Sequence, residues 1–405
     1  MKHYLKILIS VSIVFGLYGC GSSSLGGRNT VEESFSTAKG RFIDSPVQGL
    51  NYVSGDTTGV TDSSGKFIYE IIDGTPQTVD FYIGSLLLGN TTGKSIVTPV
   101  NLISLNVARL QGEINIVRLV LALDDDQNSN NGINLTQITD NADPFNWSKI
   151  DFENSDFPNQ TSLSVFLSDV SSILQRNVVL ADTSVAQAHI NKTYQCLISG
   201  NYFGTFTGTD TGPIVLGVDP STNLIAGVGW SRLQSTGIGI PFSTDSLNRE
   251  NEFSFTAASD IAYTFVGQVD VLSSMSGTWS EGTNGGVFNL LRLADSNDSE
   301  IAYKFTGSYL ADIPGVGVTP IGAYSINIYN DGTAQGELVN IIIGTTQVTK
   351  MTGNINNNQI SMTATNGMTL AGIINLNNMT ITGQWADTAG ILKSGNFSMN
   401  GCAIN

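Results

Sequence analysis

The spacing of apolar positions changes twice along the 405 residues. Over 38–98, short apolar runs alternate with glycine and aspartate breaks: Gly40-Arg41-Phe42-Ile43, Gly49-Leu50-Asn51-Tyr52-Val53, Lys66-Phe67-Ile68-Tyr69 and Val79-Asp80-Phe81-Tyr82-Ile83. Period-two patterning buries one face of a strand and exposes the other, so this stretch predicts a small antiparallel sandwich. Over 99–196 the period lengthens. Thr98 and Pro99 suit a helix N-cap and a first helical position. Ile116, Leu119, Val120 and Leu123 share one face of a helix over 99–123, which Gly112 could interrupt. Leu163, Phe166, Leu167, Val170 and Leu174 predict a helix over 162–175, and Ser184-Val185-Ala186-Gln187 resembles a capping box that opens a last helix.

From 197 to 405 the period returns to two. Tyr324, Ile326 and Ile328 alternate into the turn Asn330-Asp331-Gly332, and Met379, Ile381 and Trp385 alternate after Asn377-Asn378, as hairpins require. Tyr202-Phe203-Gly204-Thr205-Phe206-Thr207-Gly208 is echoed by Tyr303-Lys304-Phe305-Thr306-Gly307. Phe265-Val266-Gly267 is echoed by Leu370-Ala371-Gly372, and Ser276-Gly277-Thr278-Trp279 by Thr382-Gly383-Gln384-Trp385. The echoes keep their order at offsets of about 100 residues, which predicts an internal duplication. Closing both halves into one meandering barrel would remove exposed sheet edges; a two-sheet sandwich is the alternative. The expected fold class is thus mainly β and multidomain. It comprises an N-terminal β-sandwich (38–98), a small α-helical spacer (99–196) and a C-terminal antiparallel meander β-barrel built from two similar halves (197–405).

Two stretches carry a resemblance. Thr61-Asp62-Ser63-Ser64-Gly65-Lys66-Phe67, after Asp44-Ser45-Pro46-Val47-Gln48-Gly49, resembles the T-D-x-x-G-x-F hairpin of carboxypeptidase-regulatory-like (transthyretin-like) sandwich domains of bacterial surface proteins. That resemblance implies a structural module without catalytic residues. The run Asn115 to Leu119, then Leu123-Asp124-Asp125-Asp126 and Asn131-Gly132-Ile133, with Ala186 to Ile190 later, is similar to a helical module following such sandwiches in proteobacterial surface lipoproteins. It implies an architecture and a location, and no activity.

The N-terminus carries an address. Lys2 and Lys6 precede an apolar run over 7–17 that is too short to span a bilayer and fits a signal-peptide core. Leu17-Tyr18-Gly19-Cys20, followed by Gly21-Ser22-Ser23-Ser24, resembles the bacterial lipoprotein leader. The resemblance implies removal of 1–19 and diacylation of the Cys20 thiolate, with 20–37 as a flexible tether; more than one acyl chain anchors stably. Gly21, where an inner-membrane protein of this kind tends to carry Asp, implies the outer membrane, at its periplasmic face or the cell surface.

Composition narrows the function. Acidic residues outnumber basic ones 34 to 18, for a formal charge of −16, so a nucleic-acid footprint is not expected. Leu88-Gly89-Asn90-Thr91-Thr92-Gly93-Lys94-Ser95 comes close to a phosphate loop. It has one residue too few between its glycines, and Pro99 follows where a helix should begin, so no nucleotide is expected. The two cysteines besides Cys20, Cys196 and Cys402, suggest a disulfide in an oxidising compartment, with two buried thiols as the alternative. Once the leader is removed, His189 is the one histidine left, and no nucleophile elbow accompanies it, so no catalytic residue is assigned.

The stretch Leu121-Ala122-Leu123-Asp124-Asp125-Asp126 sets three aspartates at a helix C-terminus, where the dipole disfavours each by about 0.3 to 1 kcal/mol. Asp124, Asp126 and Asn128, with Asn130 nearby, place hard oxygen ligands at alternate positions like the first half of a calcium loop. Ser129 stands where the turn glycine belongs and Leu135 where the bidentate glutamate belongs. A structural calcium and a solvated, asparagine-capped loop both remain open; no other cofactor is expected. Trp230, Trp279 and Trp385 suit core filling or an exposed stacking platform. The expected function is a non-enzymatic envelope lipoprotein presenting β domains for binding or adhesion to an envelope protein or glycan. The alternatives are a carrier of a small apolar ligand in the barrel, or a hydrolase of envelope glycans using paired carboxylates.

Overall fold

The computed structural model describes residues 34–103, 109–222, 224–233, 236–240, 254–258, 263–269, 274–292, 300–313, 317–342, 344–387 and 394–404; the leader and Cys20 lie outside them. The N-terminal region is a sandwich of two four-stranded sheets. In one, Phe35–Phe42 pairs antiparallel with Lys66–Ile72 and parallel with Ile96–Val97. In the other, Asn51–Ser54 lies between Thr57–Val60 and Thr78–Ile83, and Leu86–Thr92 closes the edge. Along Thr78–Ile83 the alternation puts Val79, Phe81 and Ile83 inside. Phe42 and Phe67 pack on Phe81 with ring centroids 5.1 and 5.0 Å apart. The T-D-x-x-G motif has a local cause: Asp62 Oδ1 accepts the N–H groups of Ser64 and Lys66 at 2.8 and 3.0 Å. Gly65, at φ +73°, sits where a Cβ would lie 2.4 Å from the Phe42 carbonyl.

Among the described residues four α-helices follow: α1 Arg109–Leu123, α2 Thr136–Asp140, α3 Thr161–Leu174 and α4 Thr183–Ile198. Pro99–Leu102 forms a separate 3₁₀ turn, in which Asn101 Oδ1 accepts the Thr98 N–H at 2.9 Å. Gly112 does not interrupt α1; its missing side chain admits Ile103, whose methyl would stand 3.1 Å from a Cβ. The helix expected from Ser184 begins one residue earlier, with Asp182 at its N-cap, so the capping box does not form.

The helical segment is more than a spacer. Ile116, Leu119 and Val120 of α1 and Leu163, Phe166 and Val170 of α3 share one core with Phe81, Ile83 and Leu86 of the sandwich. Each such side chain contributes on the order of 1.5–3 kcal/mol by leaving water, so sandwich and helices stabilise each other.

The C-terminal region is mainly β and contains a closed eight-stranded antiparallel barrel. The duplication is distributed differently from the expectation that two halves close one barrel. Strands between Ile301 and Ala403 close the barrel by themselves, the strand Ile301–Ile313 pairing with the last, Ser394–Ala403. Strands between Gly200 and Arg292 form an eight-stranded sheet of their own, in which Gly200–Gly208 pairs with Asn284–Arg292 in the same way. Each copy has its own cluster of buried side chains, around Phe206, Trp279 and Phe288 in the first and Phe305, Trp385 and Phe397 in the second, rather than half of one core.

The echoed motifs occupy equivalent register positions. Phe265 faces Trp279 and Gly267 faces Gly277 in the first unit; Leu370 faces Trp385 and Gly372 faces Gly383 in the second. A Cβ on Gly277 would lie 2.1 Å from the Val266 carbonyl and 2.9 Å from the Phe288 ring, and one on Gly383 would lie 2.1 Å from the Ala371 carbonyl and 2.8 Å from the Phe397 ring. An aromatic ring covers the glycine in each copy. Between the units, Val215, Val228, Ala323, Val339 and Ile341 form a small shared core with Phe203 and Trp230 against it.

Candidate functional site

The loop after α1 and the joint around α4 bring together most of the polar groups singled out in the sequence. Asp124, Asp125 and Asp126, adjacent in sequence, are separated by the fold: Asp124 is 1% exposed, while Asp125 and Asp126 face solvent. Gln127 turns the chain in the left-handed region at φ +56°. Asp124 Oδ1 accepts the Asn134 N–H at 2.9 Å, and its Oδ2 is buried without a hydrogen-bond partner. Burial pushes the Asp124 carboxyl up, partly offset by the Asn134 N–H, and the neighbouring Asp126 charge pushes it further. Asp126 accepts from Asn131 Nδ2 at 2.8 Å and from the Asn128 N–H at 2.9 Å, which hold its carboxyl below the ordinary range. Asn128 Oδ1 accepts from Asn130 Nδ2 at 3.3 Å. The dipole of α1 is met from just beyond the end of α3: Arg176 Nη2 donates to the Ala122 and Asp124 carbonyls at 3.0 and 2.7 Å.

The loop is fastened to the sandwich. Ile133 and Leu135 donate to the Pro46 and Gln48 carbonyls, both at 2.9 Å, forming a two-residue parallel pairing of Ile133–Asn134 with Val47–Gln48. Ser45, at φ +58°, donates its hydroxyl to the Ser129 carbonyl at 2.8 Å. His189 of α4 completes the fastening. Its Nε2 lies 2.9 Å from the Asp44 carbonyl, which can only accept, so that nitrogen carries the proton and Nδ1 faces the Ser129 hydroxyl at 3.4 Å. The Asp44 carboxylate lies 3.5 Å from the same Nε2. Nothing in sequence periodicity pointed to this contact, because His189 and Asp44 are 145 residues apart.

The second joint links α4 to both β units. Cys196 and Cys402 are disulfide-bonded, tying α4 to the last barrel strand. The C-terminal carbonyls of α4 are capped from both units: Arg292 Nη1 donates to Leu197 O at 2.7 Å, and Lys304 Nζ donates to Ser199 O at 2.6 Å. The sandwich reaches the same place. Arg41, fully buried, donates to Ser64 O and Ile301 O at 2.8 Å each, and burial lowers its pKa to about 10. Lys66 pairs with Glu300 at 2.6 Å. A polar cavity of about 110 Å³ opens beside the joint, lined by Asn201, Thr306, Asn327, Glu337 and Lys350 among others. Both amide atoms of buried Asn201 and the Thr306 hydroxyl lack protein partners, and the cavity is large enough for ordered water to bridge them.

Among the described residues the barrel interior is filled. Tyr324, Ile326, Met351, Met362, Leu370, Ile381, Trp385 and Phe397 interlock, and the space left among Tyr324, Leu338, Met351, Leu370, Trp385 and Phe397 amounts to about 10 Å³. Trp279 and Trp385 are core residues, at 2% and 5% exposure, and Trp230 packs between the two units. The stretch over 88–95 that resembles a phosphate loop begins on the sandwich strand Leu86–Thr92 and precedes the strand Ile96–Val97. Among the described residues no three or more His, Cys, Asp or Glu side chains cluster as metal ligands, and no helix is long and apolar enough to cross a membrane.

No family profile matches the chain, and no curated protein does. Among solved structures, one similar chain is a point mutant of transferrin binding protein B, a vaccine antigen, from Haemophilus parasuis Hp5. It shows 12% identity and a TM-score of 0.20 over 47% of this chain and 54% of that one. The alignment therefore spans about half of that protein's length.

Proposed function

We propose that the protein is a non-enzymatic lipoprotein of a bacterial outer membrane, anchored through Cys20, which presents its two β units to an envelope protein or glycan. The observation that carries this reading is the agreement of two chemical marks of an extracytoplasmic chain. One is the leader ending at Leu17-Tyr18-Gly19-Cys20, and the other is the Cys196–Cys402 bridge. The architecture supports presentation rather than turnover. His189 is engaged in fastening α4 to the sandwich, and the joint of Arg41, Arg292, Lys304 and the disulfide braces the β units against the anchored end. Among the described residues the space left between the barrel's core side chains, about 10 Å³, holds no more than a water-sized guest, which favours this reading over an apolar ligand carrier.

The test is fractionation of cells expressing the full chain beside a Cys20→Ala variant, followed by protease treatment of intact cells. The expected result is outer-membrane recovery of the wild type, its loss in C20A, and co-purification of a defined envelope component with the wild type. Recovery of the wild type in the soluble cytosolic fraction would overturn the proposal.

A further inference from the structure

We infer that the loop from Asp124 to Asn134 is a divalent-cation site of the calcium class, in which Asp124, Asp126 and Asn128 supply side-chain oxygens and the bound ion pins the helical segment to the sandwich. The first observation is spacing. Positions 124, 126 and 128 set carboxylate, carboxylate and amide oxygen at alternate places in the turn after α1, the mixture of hard ligands that calcium accepts.

The second observation is independent of spacing. Asp124 is buried at 1% exposure with its Oδ2 enclosed and without a hydrogen-bond partner, and exposed Asp126 follows two residues later in the same turn. Among the described residues neither aspartate forms an ion pair; Arg176, the nearby cation, donates to the backbone carbonyls of Ala122 and Asp124. A buried carboxylate oxygen without a donor needs a compensating positive charge, and a cation held by Asp124 and Asp126 would supply it. Asn128 and Asn131, which donate to Asp126, hold that second carboxylate in place.

The consequence follows from the fastening of the loop. Ser129 and Ile133 are bonded to Ser45 and Pro46 of the sandwich, and Ser129 faces His189 of α4. An ion that orders residues 124–130 therefore also orders the contact among sandwich, α1 and α4. Binding to the folded state alone raises its stability by mass action. The ligand set is incomplete relative to a full twelve-residue loop, so an affinity in the range of extracellular modules is expected, a dissociation constant on the order of 10⁻⁴ to 10⁻³ M.

The experiment uses the chain without its leader and measures calcium binding by titration calorimetry, and thermal unfolding with chelator, calcium or magnesium through the millimolar range. Asp126→Asn and Asp125→Asn are compared, since both sites are exposed and each variant removes one charge. The expected result is one calcium per chain, a melting temperature raised by calcium more than by magnesium, affinity weakened roughly tenfold or more in D126N, and near wild-type affinity in D125N. Absence of calcium-dependent heat and of a melting shift would overturn the inference. Equal weakening in D125N and D126N, or an equal response to magnesium, would do the same by reducing the effect to charge screening.

Discussion

Gly277 and Gly383 offer a matched pair of perturbations, one in each β unit. In each, an added methyl would press into a cross-strand carbonyl at 2.1 Å and into the ring of Phe288 or Phe397 at 2.9 or 2.8 Å. Real contacts of this kind sit beyond about 3 Å, so strand and ring must both give way; overpacking of this order costs about 1–3 kcal/mol, and backbone displacement adds to it. Each unit has its own core, around Phe206, Phe265, Trp279 and Phe288 in one and Phe305, Trp385 and Phe397 in the other. The cost should therefore fall on the unit that carries the change. Hydrogen exchange read by mass spectrometry on Gly277→Ala and Gly383→Ala is the assay, because it resolves opening segment by segment. G277A should lower protection over 200–292, and G383A over 301–403, each leaving the other unit near wild type. Unchanged protection in either variant would refute the steric argument. Equal loss in both units from one substitution would refute their separate cores.

Other consequences can be measured on the same chain. Replacing Cys196 and Cys402 by Ser removes a bridge spanning 206 residues, which in the chain-entropy picture costs at most about 5 kcal/mol; it should lower the last denaturant transition, since the closed loop contains both β units. Arg41→Met leaves the Ser64 and Ile301 carbonyls without their donor and should cost about 1–3 kcal/mol, measured as a lower urea midpoint. Burial pushes Asp210 up, but bonds from Ser231, Leu233, Thr211 and Tyr263 outweigh it and hold its carboxyl below the ordinary value. With a depressed folded-state pKa, its contribution is complete above the unfolded value of about 3.9 and fades as pH falls through the folded one. Acid unfolding of the first β unit should accordingly be shallower in Asp210→Asn than in wild type over that window.

The parts legible in the sequence are those that local pattern decides. The alternation in 78–83 and the three-and-four spacing in 162–175 specify which face of each element is apolar, and the elements are found there. The echoes of Gly267 in Gly372 and of Gly277 in Gly383 are legible as a duplication because a ring must cover a glycine at one fixed place in each copy. How the copies divide was not legible, since closure depends on pairing between Ile301–Ile313 and Ser394–Ala403, nearly a hundred residues apart, and short strands look alike in either arrangement. Periodicity also says that a face is apolar without saying what covers it, so the core shared by α1, α3 and the sandwich emerges only in three dimensions. At the acidic loop, alternate oxygen spacing gave the candidate residues. The burial of Asp124 beside exposed Asp125 and Asp126, and the reach of His189 to Asp44 and Ser129, depend on tertiary contacts that composition does not encode.

The most direct test of the account is the intact mass of the N-terminal peptide of the protein purified from bacterial membranes. A lipid anchor at this position gives a mature chain beginning at Cys20 and carrying the added mass of a diacylglycerol with or without a further acyl chain. A chain that still begins at Met1, or a Cys20 thiol free of lipid, would contradict it.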